Sequence, residues 1–155
     1  MNHRTLLKLQ ALLVMCLLAG CASFDREWQA ASHSRDPFAG RWEGRWTSTK
    51  HRGAGGSLRC VLTPHDARHY RGAFRAGWLG IHSSYTALLQ AERRGRELRL
   101  RGGKDLGFLF GGIYRYEGRV TPARFVATYD SSYDTGRFEM ARPAQESSRQ
   151  KQRRD

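Results

Sequence analysis

The chain predicts an all-β fold: eight short strands in an antiparallel up-and-down meander that closes into a small barrel. A two-layer β-sandwich is the other arrangement the pattern allows. Three observations predict this. Apolar and polar residues alternate with period two in run after run between residues 38 and 143. Turn-forming Gly, Pro and Asp residues separate the runs. Beyond the first 20 residues, no stretch of ten or more has the 3.6-residue period of a helix. Closing such a sheet removes its unpaired edges, and eight strands enclose room for packed side chains or one small ligand.

The first strand spans residues 40–49, with Trp42, Gly44 and Trp46 on one face and Arg41, Glu43 and Arg45 on the other. A Gly-rich loop (51–56) follows. The second strand, 58–63, carries Leu58, Cys60 and Leu62 inward and ends at the turn signal Pro64-His65-Asp66. The third, 69–76, aligns Tyr70, Gly72, Phe74 and Ala76. The fourth, 82–91, aligns Tyr85, Ala87 and Leu89. Arg94-Gly95 returns the chain into the fifth, 96–101, where Leu98 and Leu100 alternate with Arg. Gly102-Gly103-Lys104-Asp105 reads as another turn. The sixth strand, 106–120, is the longest, with Phe108, Phe110, Tyr114, Tyr116 and Val120 on one parity and a kink at Gly111-Gly112. The seventh, 124–130, turns Phe125, Ala127 and Tyr129 inward. The eighth, 135–142, does the same with Phe138, Met140 and Arg142.

Outside this region the composition changes. Residues 1–20 combine a basic start (Arg4, Lys8) with a short apolar stretch, 11–19, too short to span a bilayer. The stretch ends in Leu18-Ala19-Gly20-Cys21, which resembles the lipobox of bacterial lipoproteins. That resemblance implies a cleaved signal peptide and acyl chains on the sulfur and amine of Cys21. It also implies a place in the cell envelope, on the periplasmic face of the outer membrane, because Ala22-Ser23 rather than Asp follows the Cys. Two or three buried chains make a firm anchor, at about 0.8 kcal/mol per methylene. Residues 21–37 then read as the lipidated Cys and a flexible tether, 38–143 as the barrel domain, and 144–155 as a disordered basic tail. Only Cys60 remains in the folded region, as a small apolar residue alternating with leucines, with a reactive thiol as the other reading. No intramolecular disulfide is available.

Gly40-Arg41-Trp42 on the first strand and Arg142 at the end of the last resemble the closing pair of the calycin superfamily, to which lipocalins belong. The resemblance implies that Trp42 packs under Arg142 and plugs one end of the barrel. The Thr-Asp-Tyr motif of lipocalins is replaced here by Thr128-Tyr129-Asp130. The chain as a whole resembles small uncharacterised bacterial lipoproteins of this layout.

Chemistry-bearing motifs are sparse. No nucleophile elbow, phosphate-binding loop or paired-His helix is present, so the chain reads as non-enzymatic and without a cofactor; a hydrolase-type activity is the remote alternative. His65 and His69 have a metal-ligand spacing but no third ligand nearby, and read as surface residues. Asp130 and Asp134 bracket a loop that suits a Ca²⁺ or a sugar, though such residues also simply build turns. Charge is the stronger signal. The formal net charge is +13, and residues 38–143 hold 19 Lys+Arg against 9 Asp+Glu. Arg93, Arg94, Arg96, Arg99 and Arg101 cluster around one hairpin. Such a field favours anionic partners: lipid headgroups, lipopolysaccharide phosphates or acidic cell-wall polymer. Nucleic acid does not fit an envelope address. The leading expectation is therefore a filled barrel acting as an envelope binding or structural module through a basic outer face. The alternative is a carrier whose interior, lined by Trp46, Tyr70, Phe74, Tyr85, Tyr114, Tyr116 and Tyr129, takes a small apolar ligand.

Overall fold

The computed structural model describes residues 23–31, 34–107 and 112–144. The signal stretch, Cys21, Phe108, Phe110, Gly111 and the tail 145–155 lie outside the described residues. The strands are β1 (Gly40–Ser48), β2 (Gly55–Asp66), β3 (His69–Trp78), β4 (Ile81–Arg94), β5 (Glu97–Asp105), β6 (Ile113–Val120), β7 (Arg124–Asp130) and β8 (Thr135–Ala141). Each pairs antiparallel with the next, and β8 pairs with β1, so the meander closes into a barrel. The sandwich alternative does not occur. Inward parity runs as the alternation requires: Trp42, Cys60, Phe74, Leu89, Leu100, Tyr116, Phe125, Phe138 and Met140 belong to one buried cluster.

The seam between first and last strand explains two glycines. A Cβ on Gly44 would stand 2.0 Å from the Glu139 carbonyl oxygen, and one on Gly136 would stand 2.1 Å from that of Thr47. β1 and β8 approach this closely only because neither position carries a side chain.

Three sequence expectations need correction. Residues 102–105 are not a turn: they complete β5. Gly102 faces inward, where a Cβ would meet Leu89 at 2.7 Å, so this glycine serves packing rather than reversal. The reversal falls between Asp105 and Ile113: Gly107 and Gly112 have φ of +82° and +73°, and Leu106 N–H donates to the Gly112 carbonyl at 3.0 Å. Among the described residues the sixth strand is Ile113–Val120; residues 108–111 of the expected strand lie outside them. Likewise Pro64-His65-Asp66 belongs to β2, with a register irregularity between Pro64 and Asp66.

The third correction concerns the tether. Residues 23–30 form a helix, α1, on the outside of β2 and β3. Phe24 and Trp28, four apart and therefore on one helical face, stack at 5.9 Å and bury Val61 and Ala73. Asp25 pairs with Arg75 and Glu27 with Arg71, each at 2.6 Å. Arg41 caps the far end, donating from Nε to the Trp28 carbonyl and from Nη2 to that of Gln29 at 3.0 Å. The helix spans two turns and has a single apolar pair, too little for periodicity to register. The outward-facing apolar residues Val61 and Ala73 were the available sign that something covers this wall.

Candidate functional site

The interior and the outer wall are two places where a ligand or partner would be met. Inside, the rings lie against one another. Phe74 stacks on Tyr85 at 5.3 Å and on Tyr116 at 6.3 Å, while Tyr129 lies 5.1 Å from Phe138. The space at inward Gly72 is taken by the Phe74 ring, 2.5 Å from where a Cβ would stand. At Gly118 it is taken by Ala127 and Phe125, at 3.0 and 3.2 Å. The polar tips are also engaged. Tyr70 Oη donates to Asp36 at 2.5 Å, and Trp46 Nε1 donates to the Gly77 carbonyl at 3.1 Å. Tyr129 Oη donates to the buried Asp134 at 2.8 Å, which also accepts from Ser48 at 2.6 Å. Burial pushes the phenols of Tyr85 and Tyr129 up, that of Tyr129 helped by the Asp134 carboxylate, and raises Tyr116 to about 12. Burial likewise raises the Cys60 thiol well above its ordinary value, which disfavours the thiolate needed for reactivity. The seven residues expected to line a ligand cavity thus point inward, and their neighbours there are mostly each other.

One end is closed by Trp42, which is fully buried, with the Arg142 guanidinium 3.8 Å above its ring centroid. Arg142 also donates to the carbonyls of Pro37, Ala39 (2.7 Å) and Pro122 (3.2 Å). It therefore ties the chain before β1 to the β6–β7 turn.

The sugar or Ca²⁺ reading of Asp130 and Asp134 loses its geometry: Asp134 is buried and spent on Tyr129 and Ser48, whereas Asp130 is exposed. His69 is held by Asp66 at 2.9 Å. Among the described residues, no group of three or more His, Cys, Asp or Glu is placed to hold a metal.

Outside, a depression of about 510 Å³ lies over β5–β8. Its outward side chains include Arg99, Arg101, Arg119 and Arg137, with Glu117, Glu139, Thr128 and Val126 between them. In ring order this wall lies opposite β2–β3, where α1 sits. The five arginines singled out from the sequence are split by the fold. Arg99 and Arg101 enter the depression, whereas Arg93, Arg94 and Arg96 gather at the β4–β5 turn. There Arg93 reaches Asp36 at 3.5 Å and Arg94 reaches Glu92 at 2.8 Å. Arg119 is outward by its parity in the sequence, but neither it nor Arg137 was grouped with these, because they come from β6 and β8 and join the cluster only when the sheet closes.

Register gives this wall its character. Arg99 stands directly opposite Arg119 across β5–β6, and like charges so placed repel. The same juxtaposition occurs once more, Arg59 opposite Arg75 across β2–β3. There α1 relieves it: Arg75 pairs with Asp25, and Arg59 lies over the Trp28 ring at 5.1 Å. On the opposite wall Arg99 has Glu97 at 3.2 Å, and Arg119 forms no ion pair among the described residues. No family model matches the chain, and a search of curated proteins finds none that matches it.

Proposed function

We propose that this chain is a lipid-anchored envelope protein whose filled, calycin-like barrel is a non-enzymatic binding module. Its β5–β8 wall engages a polyanion of the cell envelope, such as acidic cell-wall polymer or the phosphates of lipopolysaccharide. The signal-like leader ending at Cys21 supports the anchor, and the Trp42–Arg142 closure supports the calycin-like reading. The observation that carries the binding role is the opposed Arg99–Arg119 pair in a 510 Å³ depression, in contrast to its counterpart under α1. A partner supplying phosphate or carboxylate groups would relieve the repulsion as Asp25 does on the other wall, and guanidinium forks suit such groups. The interior packing supports this reading over the carrier, because rings occupy the space a ligand would need.

The test is co-sedimentation of the protein with isolated cell-wall polymer and, separately, with lipopolysaccharide. Arg99→Ala/Arg119→Ala is expected to weaken binding about a hundredfold or more, two charge-assisted contacts being worth roughly 1.5–3 kcal/mol each. Arg94→Ala/Arg96→Ala, at the end of the barrel, is expected to change it little. Binding should also fall between 0.1 M and 1 M salt, as the screening length drops from about 10 Å to about 3 Å. Equal loss in both double variants would remove the β5–β8 wall as the site.

A further inference from the structure

The end of the barrel opposite the Trp42–Arg142 closure has a different surface chemistry. β3 and β4 are joined by the two-residue turn Leu79-Gly80, and the tip is apolar: Trp78 is 53% exposed, Leu79 81% and Ile81 72%. Leu79 has φ +48°, where Gly or Asn is the ordinary choice, so a large apolar side chain is held outward at a backbone position that disfavours it. The tip also projects. β4 pairs with β5 only from Leu89 onward, so residues 81–88 have β3 as their only ladder partner among the described residues. Ile113, 57% exposed, opens β6 at the same end. Lys50, Arg52 and Lys104 lie at this end and form no ion pair among the described residues, beside the carboxylates of Asp105 and Asp130. A protruding Trp-Leu-Ile tip with cations around it has the composition of an interfacial membrane contact.

The course of α1 supplies the second, independent observation. Phe24 and Asp25 lie at Arg75, while Glu27 lies at Arg71, four residues further from the tip along β3. The helix therefore runs antiparallel to β3, with its start directed toward the Trp78–Ile81 tip. Arg75 is three residues below Trp78, about 10 Å along the strand. Cys21 precedes residue 23 by two residues, which span about 7 Å at most. Residue 23 thus begins α1 at the end nearer the apolar tip, and a single residue separates it in sequence from the cysteine.

We propose that the β3–β4 tip, through Trp78, Leu79 and Ile81, inserts into the interfacial layer of the bilayer that carries the acylated Cys21. The barrel then stands with its apolar end on the membrane and its Trp42–Arg142 end away from it. The inference rests on the lipoprotein reading for the bilayer's proximity, and on the tip's own chemistry for insertion.

The test uses the full chain, matured in a two-membrane host and reconstituted into phosphatidylethanolamine–phosphatidylglycerol vesicles. An environment-sensitive fluorophore is placed at Leu79→Cys or, at the far end, Arg96→Cys; Cys60 is buried and does not compete. The expected result is a blue-shifted emission at position 79, quenched several-fold more by brominated lipid than that at position 96. Trp78→Ser/Ile81→Ser in the Leu79→Cys background should reduce that shift. Protein that floats with the vesicles while both labels remain equally water-exposed overturns the proposal and leaves the anchor intact. A mature mass lacking acyl chains overturns the anchor instead. In that case a blue shift at position 79 on adding vesicles still supports the tip, and no shift overturns it.

Discussion

Arg142 shows how one side chain can organise an end of the barrel. Its guanidinium rests on the Trp42 ring and donates to four carbonyls, those of Pro37, Ala39, Arg41 and Pro122, so it links β8, the approach to β1 with its first residues, and the β6–β7 turn. Arg142→Met retains the apolar stem and removes the donors, and is expected to cost about 2–4 kcal/mol of stability in urea denaturation. A double-mutant cycle with Trp42→Phe isolates the ring contact. A coupling of about 1–2 kcal/mol is expected if the pair is desolvated, and a value near zero would assign the whole effect to the carbonyls. Both residues were legible as candidates from inward parity and from the resemblance they carry. The carbonyl contacts were not, because they depend on where the chain passes before β1.

At the scale of elements, strand identity was legible wherever one face is apolar and the other charged. β7 is the clearest case: Phe125, Ala127 and Tyr129 face inward from a strand bounded by Pro122 and Asp130. The reading failed where glycine has two meanings. Gly102 looks like a turn residue, yet it lies in β5 because Leu89 fills the space beside it. It failed also for α1, whose stability comes from docking on Val61 and Ala73 rather than from its own short pattern. The β1–β8 seam is the element contact with least tolerance. Gly44→Ala places a methyl 2.0 Å from the Glu139 oxygen and is expected to cost about 3 kcal/mol or more. Gly103→Ala, whose nearest neighbour is the Tyr114 oxygen at 3.1 Å, should cost distinctly less. Denaturant midpoints compare the two, and limited proteolysis of β8 in Gly44→Ala reports whether the seam has opened.

For the whole molecule, the aromatic interior fixes the response to alkali. The phenols of Tyr85, Tyr116 and Tyr129 titrate above their unfolded values, so the folded barrel keeps protons that the unfolded chain releases. Their contribution is complete below about pH 10 and is lost as the pH rises toward about 12. Tyrosinate absorbance from these rings should therefore appear together with the loss of near-ultraviolet circular dichroism. Appearance well before it would mean that the rings are reached by solvent in the folded state. The candidate binding wall was only half legible. Alternation turns Arg99 and Arg101 outward, but nothing in the linear pattern sets Arg119 against Arg99 or brings Arg137 alongside. Those placements belong to the register of a closed ring.

The position of α1 has one last consequence. Because the helix occupies the wall diametrically across from the arginine depression, the cylinder has a front and a back rather than eight equivalent sides. On the proposed reading, each copy offers a long polymer one binding wall. Copies would then coat such a molecule like beads along a thread, without cross-linking one thread to the next.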